Sequence, residues 1–212
     1  YCRLKPRPAH ALDGACNLLD GAERLEETLC GLHFSLLPQS FFQINAAQAE
    51  RMYTIALDAL ALRPGDAALD AYCGAGTITL LMAARGANAT GVELVRPAVL
   101  DAIASAKRNG LDARFLLGDA AEEIPRLVAA GERFAAAVLD PPRRGADARV
   151  LQALISAAPQ RIVYISCDPA TLARDLKTLA TGGYQLEFAQ PVDMFAYTGH
   201  VETVVLMSKV KE

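Results

Sequence analysis

From residue 67 to the C-terminus, short runs of continuous apolar residues alternate with segments patterned as helices. Strands read over 67–71, 89–94, 113–117, 135–139 and 161–166, and helices over 77–84, 97–109, 149–157 and 171–179. A strand that is apolar without interruption must be covered on both faces. Alternation with helices supplies that cover only if the strands run parallel. Two last strands, 186–191 and 201–208, follow without a helix between them, so they form an antiparallel hairpin. The expected fold class is α/β, a doubly wound and mostly parallel seven-stranded sheet ending in that hairpin.

Residues 1–40 read differently, with short extended runs and turns at Asp13-Gly14 and Asp20-Gly21. Residues 28–36 read as a hairpin. Residues 1–40 are therefore expected to be the remnant of a preceding β-rich domain, and 41–212 the main domain. A helix opens that domain. Asn45 is its N-cap, and Ala49, Met52, Ala56, Leu57 and Leu60 form its apolar stripe. Arg63-Pro64-Gly65-Asp66 ends it.

At 52% hydrophobic and 21% charged, the chain can bury a sizeable core. Its net charge of −3 and pI near 5.7 argue against a nonspecific polyanion binder, though not against an enzyme that reads one nucleotide in a pocket. Charge or glycine breaks every apolar run before the roughly 18 residues a membrane span needs. No secretory signal opens the chain, and its start at Tyr1 points to a fragment. Five cysteines, Cys2, Cys16, Cys30, Cys73 and Cys167, contain no CxxC pair. That pattern fits neither a disulfide framework nor a metal site, and a reducing, cytoplasmic setting is expected.

The first strand runs into Asp70-Ala71-Tyr72-Cys73-Gly74-Ala75-Gly76-Thr77, which opens a helix. Gly74 and Gly76 let the backbone turn sharply and approach a ligand. Glu93 ends the next strand, where a carboxylate can accept both ribose hydroxyl protons. A dinucleotide turn wants a third small residue at position 79, and Thr79 stands there. An acid four residues before the first glycine, as Asp70 is, is similar to S-adenosylmethionine-dependent methyltransferases. That cofactor has no pyrophosphate to cradle. Asp119 after the third strand has two readings, an acceptor for the adenine amino group or a surface turn residue.

Asp140-Pro141-Pro142-Arg143-Arg144-Gly145 follows the fourth strand directly, and the two prolines fix how Asp140 is presented. Cys167 follows the fifth strand, at the same edge, between Ser166 and Asp168-Pro169. A free cysteine is most often a small buried hydrophobe. A polar strand end is a poor place for one and a good place for a nucleophile. A thiol beside a methyl donor has a chemical reason. Carbon 5 of a pyrimidine is a poor nucleophile until sulfur adds at carbon 6. A base must then take the carbon-5 proton so that the sulfur can leave. Glu202 is the candidate base, and His200 is the rival because a His-x-Glu pair on a strand shares one face.

These motifs resemble the RNA uracil-5 methyltransferase family. The matching segments are Ser40 to Asn45, Asp70 to Gly76, Gly91-Val92-Glu93, Asp140 to Gly145, Tyr164 to Leu176 and Asp193 to Glu202, in order from residue 40 onward. The resemblance implies a Rossmann-like catalytic domain over 41–212, Cys167 as nucleophile and Glu202 as base. It implies S-adenosylmethionine contacts from Gln43, Tyr72, Thr77, Glu93 and Asp140. Asp140, Arg143 and His200 are the candidate substrate contacts. It also implies RNA as partner, in a single-stranded loop from which uracil can be splayed out. Segments 163–176 and 192–195 look most like members acting on 23S ribosomal RNA. Thr77 and Ala196 depart from the usual residues, proline being usual at the latter. The family's N-terminal oligonucleotide-binding barrel is not found in this chain. Some members hold an iron–sulfur cluster, and Cys2 is the one candidate leftover ligand.

Overall fold

The computed structural model describes residues 2–4 and 14–210. The sheet expected from the sequence is present. In chain order its strands are β5 (Ala67–Asp70), β6 (Asn88–Glu93), β7 (Arg114–Leu117), β8 (Ala136–Leu139), β9 (Arg161–Ser166), β10 (Tyr184–Val192) and β11 (Glu202–Lys209). Their spatial order is β10-β11-β9-β8-β5-β6-β7. The five strands from β7 to β9 are parallel, and β11 runs antiparallel to both β9 and β10. Strand order reverses at β5, so a crevice opens beyond the carboxyl ends of β5, β6 and β8. Pro191 lies in β10, which is an edge strand, where a missing donor is tolerated.

Among the described residues, six helices cover the sheet: α1 (Ala46–Leu60), α2 (Thr77–Ala84), α3 (Arg96–Asn109), α4 (Ala120–Ala129), α5 (Ala148–Ala157) and α6 (Pro169–Thr181). Asn45 caps α1 as expected, its side chain accepting from the Gln48 N–H at 3.2 Å. The sequence reading left 120–129 without a helix, and α4 is there. Pro125 inside it removes one backbone donor and masks the pattern, but Asp119 caps its start and Ala121, Ile124 and Leu127 keep a buried stripe.

Upstream, β3 (Leu25–Leu29) and β4 (Leu32–Leu36) form the expected hairpin. Its Cys30-Gly31 turn has φ of 49° and 78°, the left-handed pair that matches strand twist in a two-residue loop. The hairpin packs on α3. Asn109 exchanges hydrogen bonds with the His33 backbone at 2.9 and 2.7 Å. Fully buried Asp101 accepts from Leu37 N–H at 2.8 Å, from the Ser40 hydroxyl and from Arg24. Those donors compensate its charge in place and fix the approach to Gln43. Leu29, Phe34 and Leu36 join the core beneath α1.

The remaining described pair is β1 (Cys2–Leu4) with β2 (Gly14–Cys16). Cys16 is disulfide-bonded, which corrects the expectation that the cysteines make no bridge. An odd count leaves room for one bridge beside free thiols, and Cys30, Cys73 and Cys167 are free. The Cys2 side chain, as a leftover cluster ligand, and residue 13 of the Asp13-Gly14 turn lie outside the described residues. Among those described, no helix is long and apolar enough to cross a membrane, and no three His, Cys, Asp or Glu residues are grouped to hold a metal.

Candidate active site

The cofactor turn lies between β5 and α2. Gly74 and Gly76 have φ of 54° and 83°. A Cβ on Gly76 would come within 2.7 Å of the Ala102 Cβ, so α3 packs against bare backbone there. Glu93 at the end of β6 fastens the turn: one oxygen accepts from Gly74 N–H at 3.0 Å, the other from Val95 N–H at 2.7 Å. Thr79, the residue that broke the dinucleotide pattern, donates to buried Asp70 at 2.7 Å. A small residue there would leave that carboxylate without the bond. Gly91 is bare for the same packing, since a Cβ would meet the Thr79 hydroxyl at 2.7 Å and the Cys73 sulfur at 2.8 Å. Gln43 and Thr77 are buried, and Tyr72 is half-buried, its hydroxyl accepting from Asp147 N–H at 3.3 Å. Asp119 accepts from Ala121 N–H at 2.9 Å, so it caps α4.

The chemical residues meet at the adjoining strand ends. Because β11 is antiparallel to β9, its first residue lies at the carboxyl end of β9. Thr203 pairs with Ser166, the last residue of β9, so Glu202 and Cys167 adjoin the same end of that strand pair. Asp140 leaves β8, the neighbour of β9. The turn at Cys167 is fixed from both sides. Asp168 N–H donates to the Ser166 hydroxyl at 3.1 Å, and the Asp168 carboxylate caps α6 through Thr171 N–H at 2.8 Å. Cys167 is half-buried, Glu202 buried, and Arg143 exposed at the rim.

His200 does not share a strand face with Glu202. The strand starts at Glu202, so His200 stays exposed in the preceding loop, its ring edge-on to Phe195 at 6.5 Å. Asn45 ties that loop to the segment bearing Gln43, donating to the Met194 carbonyl at 3.1 Å.

Three carboxylates crowd this crevice. Burial, then Glu202 and Asp70, pushes Asp140 up to about 8. Burial raises Asp70 to about 6, and one of its oxygens has no partner. Burial also raises Glu202, with Arg143 opposing. The Cys167 thiol is raised by burial and by Glu202, opposed by Arg143. The sequence reading missed Tyr53, a buried residue of α1 whose phenol is pushed up by burial and by Asp140 and Asp70. Its spacing of four from both Ala49 and Leu57 was the available signal.

Desolvated acids with no close ion pair cost the fold stability when they ionise. For an acid raised in the folded state, the neutral form is the favoured one. Asp140 therefore stabilises the fold at low pH and loses that contribution as pH rises from about 4 to 8. Asp140→Asn is expected to raise the Tm of the ligand-free chain at pH 8.5 by several degrees, on the order of 1–3 kcal/mol, with a much smaller gain at pH 4. Equal Tm values at pH 8.5, read by calorimetry, count against a strained carboxylate here.

The family model described as tRNA (uracil-5-)-methyltransferase matches residues 22–210. The chain belongs to that family. A Clostridium acetobutylicum protein described as an uncharacterized RNA methyltransferase is 42% identical to this uracil-5 methyltransferase family member over 191 residues, 90% of this chain and 42% of the relative. One from Enterococcus faecalis is 43% identical over 193 residues. The chain thus spans less than half the length of these curated relatives. Among solved structures, the tRNA (uracil-54, C5)-methyltransferase of Pyrococcus abyssi, in complex with S-adenosyl-L-homocysteine, has a TM-score of 0.80 at 29% identity. The match covers 97% of this chain and 49% of that one.

Proposed function

We propose that this chain is the catalytic part of an S-adenosylmethionine-dependent enzyme that methylates carbon 5 of a uridine in RNA. The single observation that carries the reading is the convergence of Cys167, Glu202 and Asp140 at neighbouring strand ends, beside the Gly74–Gly76 turn. The site suits a cationic cofactor. Asp70, Asp140 and Glu202 are all raised by burial, and a positive group among them would relieve that cost. Gln43, Tyr72, Gly74, Gly76, Thr77, Glu93 and Asp140 are the residues proposed to hold S-adenosylmethionine, with Asp119 free to take the adenine amino group beyond its capping bond. When bound, that cofactor supplies an electrophilic methyl group.

The protein's own residues do the rest. Cys167, as thiolate, bonds carbon 6 of the uracil and drives electron density to carbon 5 and the carbonyl oxygen. Asp140 and Arg143 hold the ring's polar edge. Once carbon 5 carries the methyl group, the Glu202 carboxylate takes its proton. The carbon–sulfur bond then breaks, the double bond returns and Cys167 leaves as thiolate. Burial holds Glu202 above the ordinary carboxylate value, which makes its carboxylate a stronger base.

The target RNA is a finer matter. Segments 163–176 and 192–195 support 23S ribosomal RNA, and the resemblance to the Pyrococcus abyssi tRNA enzyme supports tRNA as the second reading. Incubation with methyl-labelled S-adenosylmethionine and each RNA, followed by digestion to nucleosides, tests both. Label in 5-methyluridine is expected. Label only in an N-methyl nucleoside, or none with either RNA, sinks the reading.

A further inference from the structure

The loop from Asp140 to Asp147 bears Arg143, and several backbone groups in its second half are held by side chains from elsewhere. Thr171 donates its hydroxyl to the Arg143 carbonyl at 3.1 Å. Arg174 donates to the Arg144 carbonyl at 3.0 Å. Ala146 N–H donates to the Asp175 carboxylate at 2.8 Å and also reaches the Tyr164 hydroxyl at 3.1 Å. The Tyr164 hydroxyl donates to the same Asp175 oxygen at 2.6 Å, and Arg174 Nε donates to the other oxygen at 2.8 Å. Asp175 is 1% exposed and Tyr164 fully buried. Gly145, at φ 80°, has no room for a side chain, because Arg174 and Asp175 fill that space. Such a network is far more than a helix needs to hold a surface loop. A buried carboxylate with all its bonds made fixes its partners firmly, and one left partly unmade is costly.

We propose that Asp175 is a positioning residue: by clamping Ala146 and Tyr164 it sets the 140–147 loop so that Arg143 stays beside Cys167. The catalytic meaning of this rests on the reading of Cys167 as nucleophile, whereas the clamp itself does not. Thr171, Arg174 and Asp175 all lie on α6, the helix that starts two residues after Cys167. One helix therefore anchors both the turn that bears Cys167 and the loop. Among the charges that act on Cys167, that of Arg143 favours its thiolate. The others facing it are Glu202 from β11 and Asp140 from the loop, and both oppose the thiolate. The Arg143 charge also acts on Asp168 and Glu202. A loop loosened at Ala146 carries that charge away from the sulfur.

The test is the pH dependence of Cys167 alkylation by iodoacetamide in the ligand-free chain. Mass mapping separates the Cys167 peptide from those of Cys30 and Cys73. Asp175→Asn keeps the shape and removes the charge. It is expected to slow alkylation of Cys167 roughly three- to tenfold at pH 7.5 by shifting its titration to higher pH, as Arg143→Ala does. The double variant should be no slower than the slower single one, because both act through the same guanidinium. Should Asp175→Asn not melt cooperatively, Tyr164→Phe removes one bond from the same carboxylate and is expected to shift the titration the same way, by less. A lowered Tm with an unmoved thiol titration in either folded variant overturns the inference, leaving Asp175 a purely structural residue. Additive effects in the double variant, or an Arg143→Ala titration like the wild type, overturn it too. No RNA is used, so failure of uridine methylation and failure of the clamp are separate results.

Discussion

Cys167→Ala is expected to abolish a covalent adduct with RNA and to cut methylation by about 10⁴-fold or more, the scale on which enzymes lose rate when a covalent nucleophile is removed. The reason is chemical. An uncharged uracil ring offers carbon 5 almost no nucleophilic character, and among the described residues the other free thiols lie elsewhere. Cys73 is buried beneath the cofactor turn against Gly91, and Cys30 sits in the β3–β4 turn. Since burial and Glu202 raise the Cys167 thiol, the wild-type adduct should form faster as pH rises from 6 to 9. Denaturing gels of chain mixed with labelled RNA give the adduct, and nucleoside analysis gives the product. Full turnover by Cys167→Ala would end the covalent reading.

The sheet was legible because burial on both faces leaves little choice of residue. Strands such as Ile162-Val163-Tyr164-Ile165 are fully buried, and their apolar runs declare it. The same logic fails for α4. Glu122 and Glu123 suit its first turn, but Pro125 in its middle speaks against a helix, and tertiary packing overrides that local signal. The bridge at Cys16 was not legible either, since cysteine number and spacing cannot report which side chains the fold brings together. The unexpected residue at 79 became intelligible only with Asp70 beside it.

Of the site, the order of motifs along the chain was legible, and their meeting was not. Nothing in the spacing of Cys167 and Glu202 brings them to the same strand end. That follows from β11 running antiparallel to β9, a property of the terminal hairpin. Alternation along a strand wrongly carried His200 onto the face of Glu202, because the strand's true start cannot be read to within two residues. Tyr53 and Asp175 escaped notice for a related reason. Each meets partners distant in sequence: the charge of Asp140 acts on Tyr53, and Ala146 N–H donates to Asp175.

Glu202→Gln separates the two halves of the proposed reaction. Glutamine keeps the size and loses the base, so the step that takes the carbon-5 proton is expected to slow by about 10²- to 10⁴-fold. Sulfur addition does not need that base. Glutamine also removes the negative charge that raises the Cys167 thiol, so alkylation of Cys167 at pH 7.5 should become faster than in the wild type. The adduct should therefore form readily and persist, already methylated, on a denaturing gel. In the wild type, the proton-transfer step requires ionised Glu202. Burial raises its pKa above the ordinary value, so turnover should fall as pH drops through that raised value. Glu202→Gln should lose this acid limb and keep the alkaline rise set by the thiol. A variant that turns over normally with no trapped adduct excludes Glu202 as the base. Its neighbour His200, exposed in the loop two residues before, would then be the group to replace next.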